Sequence, residues 1–315
     1  MEHQPGTEHA RSTAARRPSW AGTSALVLTL AVMAGLLAVA CGGNDGPPAG
    51  PTNSGGRLEV VTTIEILADL ARNVGGDRVK VRSLVPPGVD VESFQTTPED
   101  GIAVHRAKVV VVNGLGLDAF LEPVIEGARR TGAVLVVAAE GMGTGPGGDP
   151  HLWQDPLLTI RYVERIRDGL ASADPENAPV YQANADAYMA ELKQLDLEIA
   201  QTLAEVPPQH RRLVTSHDAF GHFAARYRWE SSALALSDAS QVTPATVAAV
   251  IERVRRDGIP AVFVEPQFGR AVMEEVARES GVPVGTLYSD ALDDKVTTYI
   301  EMMRFNAKSL AEHLR

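Results

Sequence analysis

Between Asp174-Pro175-Glu176 and Pro207-Pro208 the chain runs without a glycine. Aspartate is a strong helix N-cap, proline suits the first helical position, and paired prolines stop a helix. Apolar residues recur at Val180, Ala183, Ala187, Leu192, Leu195, Ile199 and Leu203. The spacing predicts a helix of about 30 residues, about 45 Å long. Such a helix is longer than one small domain is wide, so it would span and brace two lobes.

Each side of this helix reads as alternating strands and helices. Before it, strands are expected at 58–63, 79–85, 109–112 and 134–138, with helices at 64–74, 98–107, 117–130 and 156–173. After it, strands are expected at 212–215, 261–264 and 284–287, with helices at 219–227, 243–256, 270–280 and 294–314. Val109–Val112 is wholly apolar, as a strand covered on both faces of a parallel sheet must be. The fold class is therefore α/β: two similar lobes with mostly parallel sheets, bridged by one long helix.

The first residues have a different character. Arg11, Arg16 and Arg17 precede an uncharged apolar run at 25–40, which ends in small residues before Cys41. This is the pattern of a secretory leader, and the run is short for a membrane-spanning helix. Cys41 is the chain's one cysteine, so no internal disulfide can form. Its place resembles the lipobox of a bacterial lipoprotein, although Ala38 stands where leucine is usual. Residues 42–56 are rich in Gly, Pro, Asn and Ser and read as a flexible tether. The expected segments are a leader at 1–41, a tether at 42–56, an N-terminal lobe at 57–173, a linking helix at 174–206 and a C-terminal lobe at 207–315. A net charge of −11 argues against a nucleic-acid partner and is compatible with attracting cations.

Four metal-capable residues fall in loops after strands. Glu92 follows the turn Pro86-Pro87-Gly88, and His151 lies in Asp149-Pro150-His151-Leu152-Trp153-Gln154-Asp155-Pro156. His217 follows the strand at 212–215, and Asp290 the strand at 284–287. Ligands of open α/β sheets bind beyond the carboxyl ends of strands, and two such loops come from each lobe. Two imidazoles and two carboxylates make a nitrogen and oxygen site suited to Mn²⁺, Fe²⁺ or Zn²⁺. Asp155 and Glu265 are candidates to orient the ligand imidazoles, and Glu265 could equally be a salt-bridge residue. Trp153 is expected in the core. Ser216-His217-Asp218 has the letters of a hydrolytic triad, but neighbours at one strand end cannot face one another as a triad does.

The chain resembles the solute-binding receptors of bacterial zinc and manganese ABC importers, the cluster A-I (TroA-like) metal-binding lipoproteins. The resemblance covers about residues 58–314. It rests on Val85-Pro86-Pro87-Gly88-Val89-Asp90, Pro98-Glu99-Asp100, Val112-Asn113-Gly114 and the stretch around His151. It continues in Thr215-Ser216-His217-Asp218-Ala219-Phe220-Gly221, Val264-Glu265-Pro266-Gln267 and Leu287-Tyr288-Ser289-Asp290-Ala291-Leu292. It implies two α/β lobes with a metal between them, and ligands at His151, His217 and Asp290. Glu92 stands where the family usually has its first histidine, which shifts the site towards harder metals; Asp90 or a water is the alternative donor. The family's zinc members often carry a histidine-rich loop before the second ligand, and Gly141–Gly148 has no histidine.

The resemblance further implies a binding protein rather than an enzyme, with Zn²⁺ or Mn²⁺ as transported ligand. It implies an ABC permease as partner, a lipid anchor on Cys41, an extracytoplasmic location and a monomer. The rival readings are a secreted metal-dependent hydrolase with Glu92 as base, a receptor for an iron chelate or corrinoid, and an adhesin on the same fold.

Overall fold

The computed structural model describes residues 56–143, 148–235 and 242–315. Cys41, the leader and residues 42–55 of the tether lie outside the described residues. Among the described residues no helix is long and apolar enough to cross a membrane.

The N-terminal lobe is built on β1 (Leu58–Thr62), β2 (Val79–Ser83), β3 (Val109–Val112) and β4 (Val134–Val137). They form one parallel sheet in the order β2-β1-β3-β4. Val60 pairs with both Val81 and Val109, and Val110 with Leu135. β3 is buried along its whole length, which explains its run of four valines. Helices α1 (Glu65–Gly75), α2 (Pro98–Arg106), α3 (Glu122–Thr131) and α4 (Pro156–Ala173) complete this lobe. α2 starts where Thr97 and Asp100 form a reciprocal capping box. α3 begins later than the expected 117, after a short 3₁₀ turn at Ala119–Leu121.

The linking helix α5 runs from Ala178 to Leu203, 26 residues and so about 39 Å. It is shorter than expected because Pro175–Asn177 forms a 3₁₀ turn of its own. Tyr181, Ala185, Tyr188, Leu192, Leu195, Ile199 and Leu203 are its buried stripe, at steps of three and four. The helix packs on α1 and α4 of the first lobe and on the last helix of the second, Tyr299–Leu314.

The C-terminal lobe contains β5 (Arg212–His217), α6 (Gly221–Tyr227), β6 (Glu230–Ala235), α7 (Pro244–Asp257), β7 (Val262–Val264), α8 (Ala271–Ser280), β8 (Val284–Thr286) and α9 (Tyr299–Leu314). β5 pairs with β6 and β7 with β8, both in parallel, and β5 lies beside β7. β6 was not expected, because Glu230-Ser231-Ser232-Ala233 lacks an apolar run. α9 starts five residues after the expected 294, because Thr298 caps it and Asp293 holds the preceding turn through the N–H groups of Lys295 and Val296.

One apolar core runs through both lobes, from Val60 and Val111 past Tyr188 and Leu195 to Phe263 and Leu310. Two smaller cores cover the outer faces, one around Val110 and Ile125, the other around Val262 and Val276. The carboxyl ends of the parallel strands put their loops at the junction of the lobes. Gly88, at φ +73°, makes the turn after Pro86-Pro87 that a Cβ would strain, and its N–H reaches the carbonyl of Leu292 across the junction (2.7 Å).

Candidate metal centre

His151 opens a 3₁₀ turn at Leu152–Gln154 just after Pro150. Asp149 Oδ1 accepts the backbone N–H of His151 at 3.0 Å and lies 2.8 Å from its Nδ1. The Pro150 carbonyl accepts from Asn113 Nδ2 (3.0 Å), and Asn113 Oδ1 accepts from the Tyr162 hydroxyl (2.6 Å). Backbone and ring are thus both held, and Nε2 turns towards Asp290, 3.6 Å from its Oδ1.

His217 is the last residue of β5. Its Nε2 lies 2.9 Å from Asp290 Oδ2 and its Nδ1 2.5 Å from Glu265 Oε2. Glu265 follows β7 and is fully buried. Its Oε1 accepts the N–H groups of Ser216 (3.1 Å) and His217 (3.2 Å), and its Oε2 accepts the Ser289 hydroxyl (2.5 Å). The rings of His151 and Phe268 meet His217 edge-on, with centroids at 5.4 Å and 5.0 Å.

His151, His217 and Asp290 are all buried, and each offers a ligand atom within 4.8 Å of the others. Neither ring nitrogen of His217 nor Oδ1 of Asp290 has an aligned hydrogen-bond partner. Burial opposes charge on His217, but Asp290 and Glu265 outweigh it and push the imidazole up to about 11. Burial likewise opposes charge on Asp290 and Asp149. The neighbouring histidines outweigh it and hold both carboxyls below the ordinary range. The pocket is a cage for positive charge.

The other expected residues fall as follows. Glu92 is exposed, in a turn where Asp90 Oδ1 accepts its N–H (3.1 Å), and its carboxyl is not among the three converging groups. Its carboxyl is only partly shielded from solvent, yet that shielding first, then Asp90, raises it, with Asp290 adding to the rise and His217 and His151 opposing it. Asp155 does not touch a histidine. It caps α4 through the Leu157 N–H (2.8 Å) and lies 3.9 Å from Arg226, because the turn after His151 points it at the helix start. Asp149 takes the orienting place instead. An aspartate two residues before an N–H commonly bonds it, which was the available signal. Trp153 is fully buried, and its Nε1 donates to the Ser289 carbonyl (2.8 Å). Ser216, His217 and Asp218 form no relay: Asp218 is exposed and Ser216 Oγ has no partner.

The family model of ZnuA, zinc-uptake complex component A, periplasmic, matches residues 60–313. The chain belongs to this family. It is 33% identical over 287 residues to the manganese-binding lipoprotein MntA of Halalkalibacterium halodurans, covering 89% of this chain and 95% of the relative. It is 31% identical over 274 residues to the iron-binding protein YfeA of Yersinia pestis, covering 83% and 88%. The solved periplasmic zinc binding protein TroA from Treponema pallidum superposes with a TM-score of 0.78 at 27% identity, covering 82% of this chain and 99% of that one. These three proteins are thus named for three different metals, manganese, iron and zinc. The chain shares with TroA the α/β fold of two lobes and a long helix.

Proposed function

We propose that the chain is an extracytoplasmic receptor that takes a divalent transition metal, Zn²⁺ or Mn²⁺, between its lobes and delivers it to the permease of an ABC importer. The observation that carries this reading is the convergence of His151, His217 and Asp290, all buried, with Asp290 Oδ1 lacking a hydrogen-bond partner. A buried polar atom left unpaired costs about 1–3 kcal/mol, and a cation shared by all three residues offsets that cost. The donor set of imidazole and carboxylate suits both ions, and the order of intrinsic affinities favours zinc over manganese.

In this reading the ligands are His151 and His217 through Nε2, Asp290, and Glu92. In the metal-loaded form this reading requires, the turn at 90–93 moves Glu92 in as the fourth. Partial desolvation, then the carboxylates of Asp90 and Asp290, disfavour its charge, and a bound cation favours it. Asp149 and Glu265 orient the imidazoles. Four protein ligands leave no coordination position open for a reactive water, so the site binds and releases without catalysis. Cys41 carries the lipid anchor, residues 42–56 form the tether, and the protein works as a monomer. Segments 57–173, 174–206 and 207–315 are the first lobe, the linking helix and the second lobe.

Purified protein should take up about one Zn²⁺ or Mn²⁺ per chain. Titration of both ions, alone and in competition, ranks them. His217→Ala and Asp290→Ala should each weaken uptake by more than about 100-fold, on the scale of a lost ligand rather than its hydrogen-bond partner. Wild-type protein that takes up neither ion would sink the reading, as would ester or phosphoester turnover by the metal-loaded form.

A further inference from the structure

Ser289 lies next to Asp290 and is fully buried. Its hydroxyl accepts from Gln267 Nε2 (2.6 Å) and donates to Glu265 Oε2 (2.5 Å). The amide of Gln267 occupies the acceptor side of the hydroxyl, so its single proton is directed at Glu265. Glu265 then receives donors on both oxygens, two of them backbone N–H groups that cannot reverse. The carboxylate is thereby held facing Nδ1 of His217 (2.5 Å), as the partner that fixes the orientation of the ring. Nε2 is left to point at Asp290.

The backbone of the same residue works in the other direction. The Ser289 carbonyl accepts from Trp153 Nε1 (2.8 Å) and Gln154 Nε2 (3.1 Å), both in the turn that His151 opens. The Trp153 carbonyl in turn accepts the Tyr299 hydroxyl (2.6 Å), which closes the link from the second lobe. One residue therefore touches the supports of His217 through its side chain and those of His151 through its carbonyl, and is bonded to Asp290.

We propose that Ser289 is the positioning residue of this site, coupling the His151 turn of one lobe to the His217 and Asp290 ligands of the other. The inference rests on the metal reading above.

The test compares wild type, Ser289→Ala, Ser289→Thr and Trp153→Phe as purified protein. Affinities for Mn²⁺ and Zn²⁺ come from chelator competition, and the ligand field from the visible spectrum of the Co²⁺-loaded protein. Ser289→Ala should lose about 10- to 100-fold in affinity for both ions and alter the Co²⁺ bands, with Ser289→Thr restoring much of both. Trp153→Phe keeps the ring but not the donor, and should lose about tenfold with faster metal release. It decides the matter if Ser289→Ala does not fold. Wild-type affinity and spectrum in Ser289→Ala, or wild-type affinity in Trp153→Phe when that variant decides, overturn the inference while leaving the metal reading intact. Failure of the wild type to bind metal overturns the reading itself.

Discussion

Gly221→Ala would place a Cβ 2.6 Å from Oδ2 of Asp149. Gly221 opens α6 in the second lobe, and Asp149 holds His151 in the first. An ordinary carbon–oxygen contact requires the carboxylate to retreat by roughly 0.5–1 Å. Oδ1 now lies 2.8 Å from His151 Nδ1, so that retreat stretches the contact beyond normal hydrogen-bond length. A hydrogen bond to a charged group is worth about 1.5–3 kcal/mol, and loss of such a support lowers metal affinity by about 10- to 100-fold. Stability should barely move. Asp149 is partly exposed, and alanine is favoured over glycine in a helix by up to about 1 kcal/mol, less in the first turn. The assay is chelator-competition titration with Mn²⁺ and Zn²⁺, beside thermal melting without metal. Affinity should fall by about tenfold or more while the Tm stays within about 3 °C. An unchanged Kd would refute the reasoning, and so would a matching Asp149→Asn variant that binds as tightly as wild type.

Two further outcomes concern the frame around the site. Asp69 is buried, and burial pushes its carboxyl up to about 6 although the Tyr299 N–H bonds it and Arg72 stands near. The native state therefore holds this proton more tightly than the unfolded chain. The contribution is fully present below the ordinary value near 3.8 and is lost as pH rises through about 6, a change of roughly 3 kcal/mol. Urea melts should find Asp69→Asn more stable than wild type at pH 8 and close to it at pH 4; parallel pH profiles of the two would refute this. Gly169 sits on α4 against the first sheet, where an added Cβ would collide with Val136 Cγ2. Overpacking of about 1–3 kcal/mol outweighs the helix gain, so Gly169→Ala should lower the Tm by a few degrees, about 2–6 °C. Adding Val136→Ala should recover part of that loss, and no recovery would show that the clash is not the cause.

Local chemistry explains which elements could be read along the chain. The all-valine β3 and the Pro156 start of α4 declare themselves within a few residues, because burial on both faces and a proline after a capping aspartate leave little choice. β6 does not, since Glu230 to Ala233 becomes a strand only because β5 offers it partners. The start of α9 was misplaced for a related reason: Asp293 and Thr298 compete to end the turn, and the N–H of Tyr299 is drawn to Asp69 on a distant helix.

The supports of the site divide in the same way. Asp149, Asp155 and Glu265 are all acids near a histidine or a strand end, and nothing in their spacing separates a helix cap from an orienting partner. The fold separates them, by aiming Asp155 at α4 and seating Glu265 under His217. By itself, the sequence determined the donor chemistry. Two imidazoles and two carboxylates, in loops after strands, offer nitrogen and oxygen donors that suit a divalent transition metal once packing brings them together. Only the tertiary structure decided that His151, His217 and Asp290 converge while Glu92 stands outside them, and that Ser289 joins their supports. Side-chain identity is written one residue at a time. A cage a few ångströms across is set by packing two lobes on one helix, and that packing sums contacts from the whole chain.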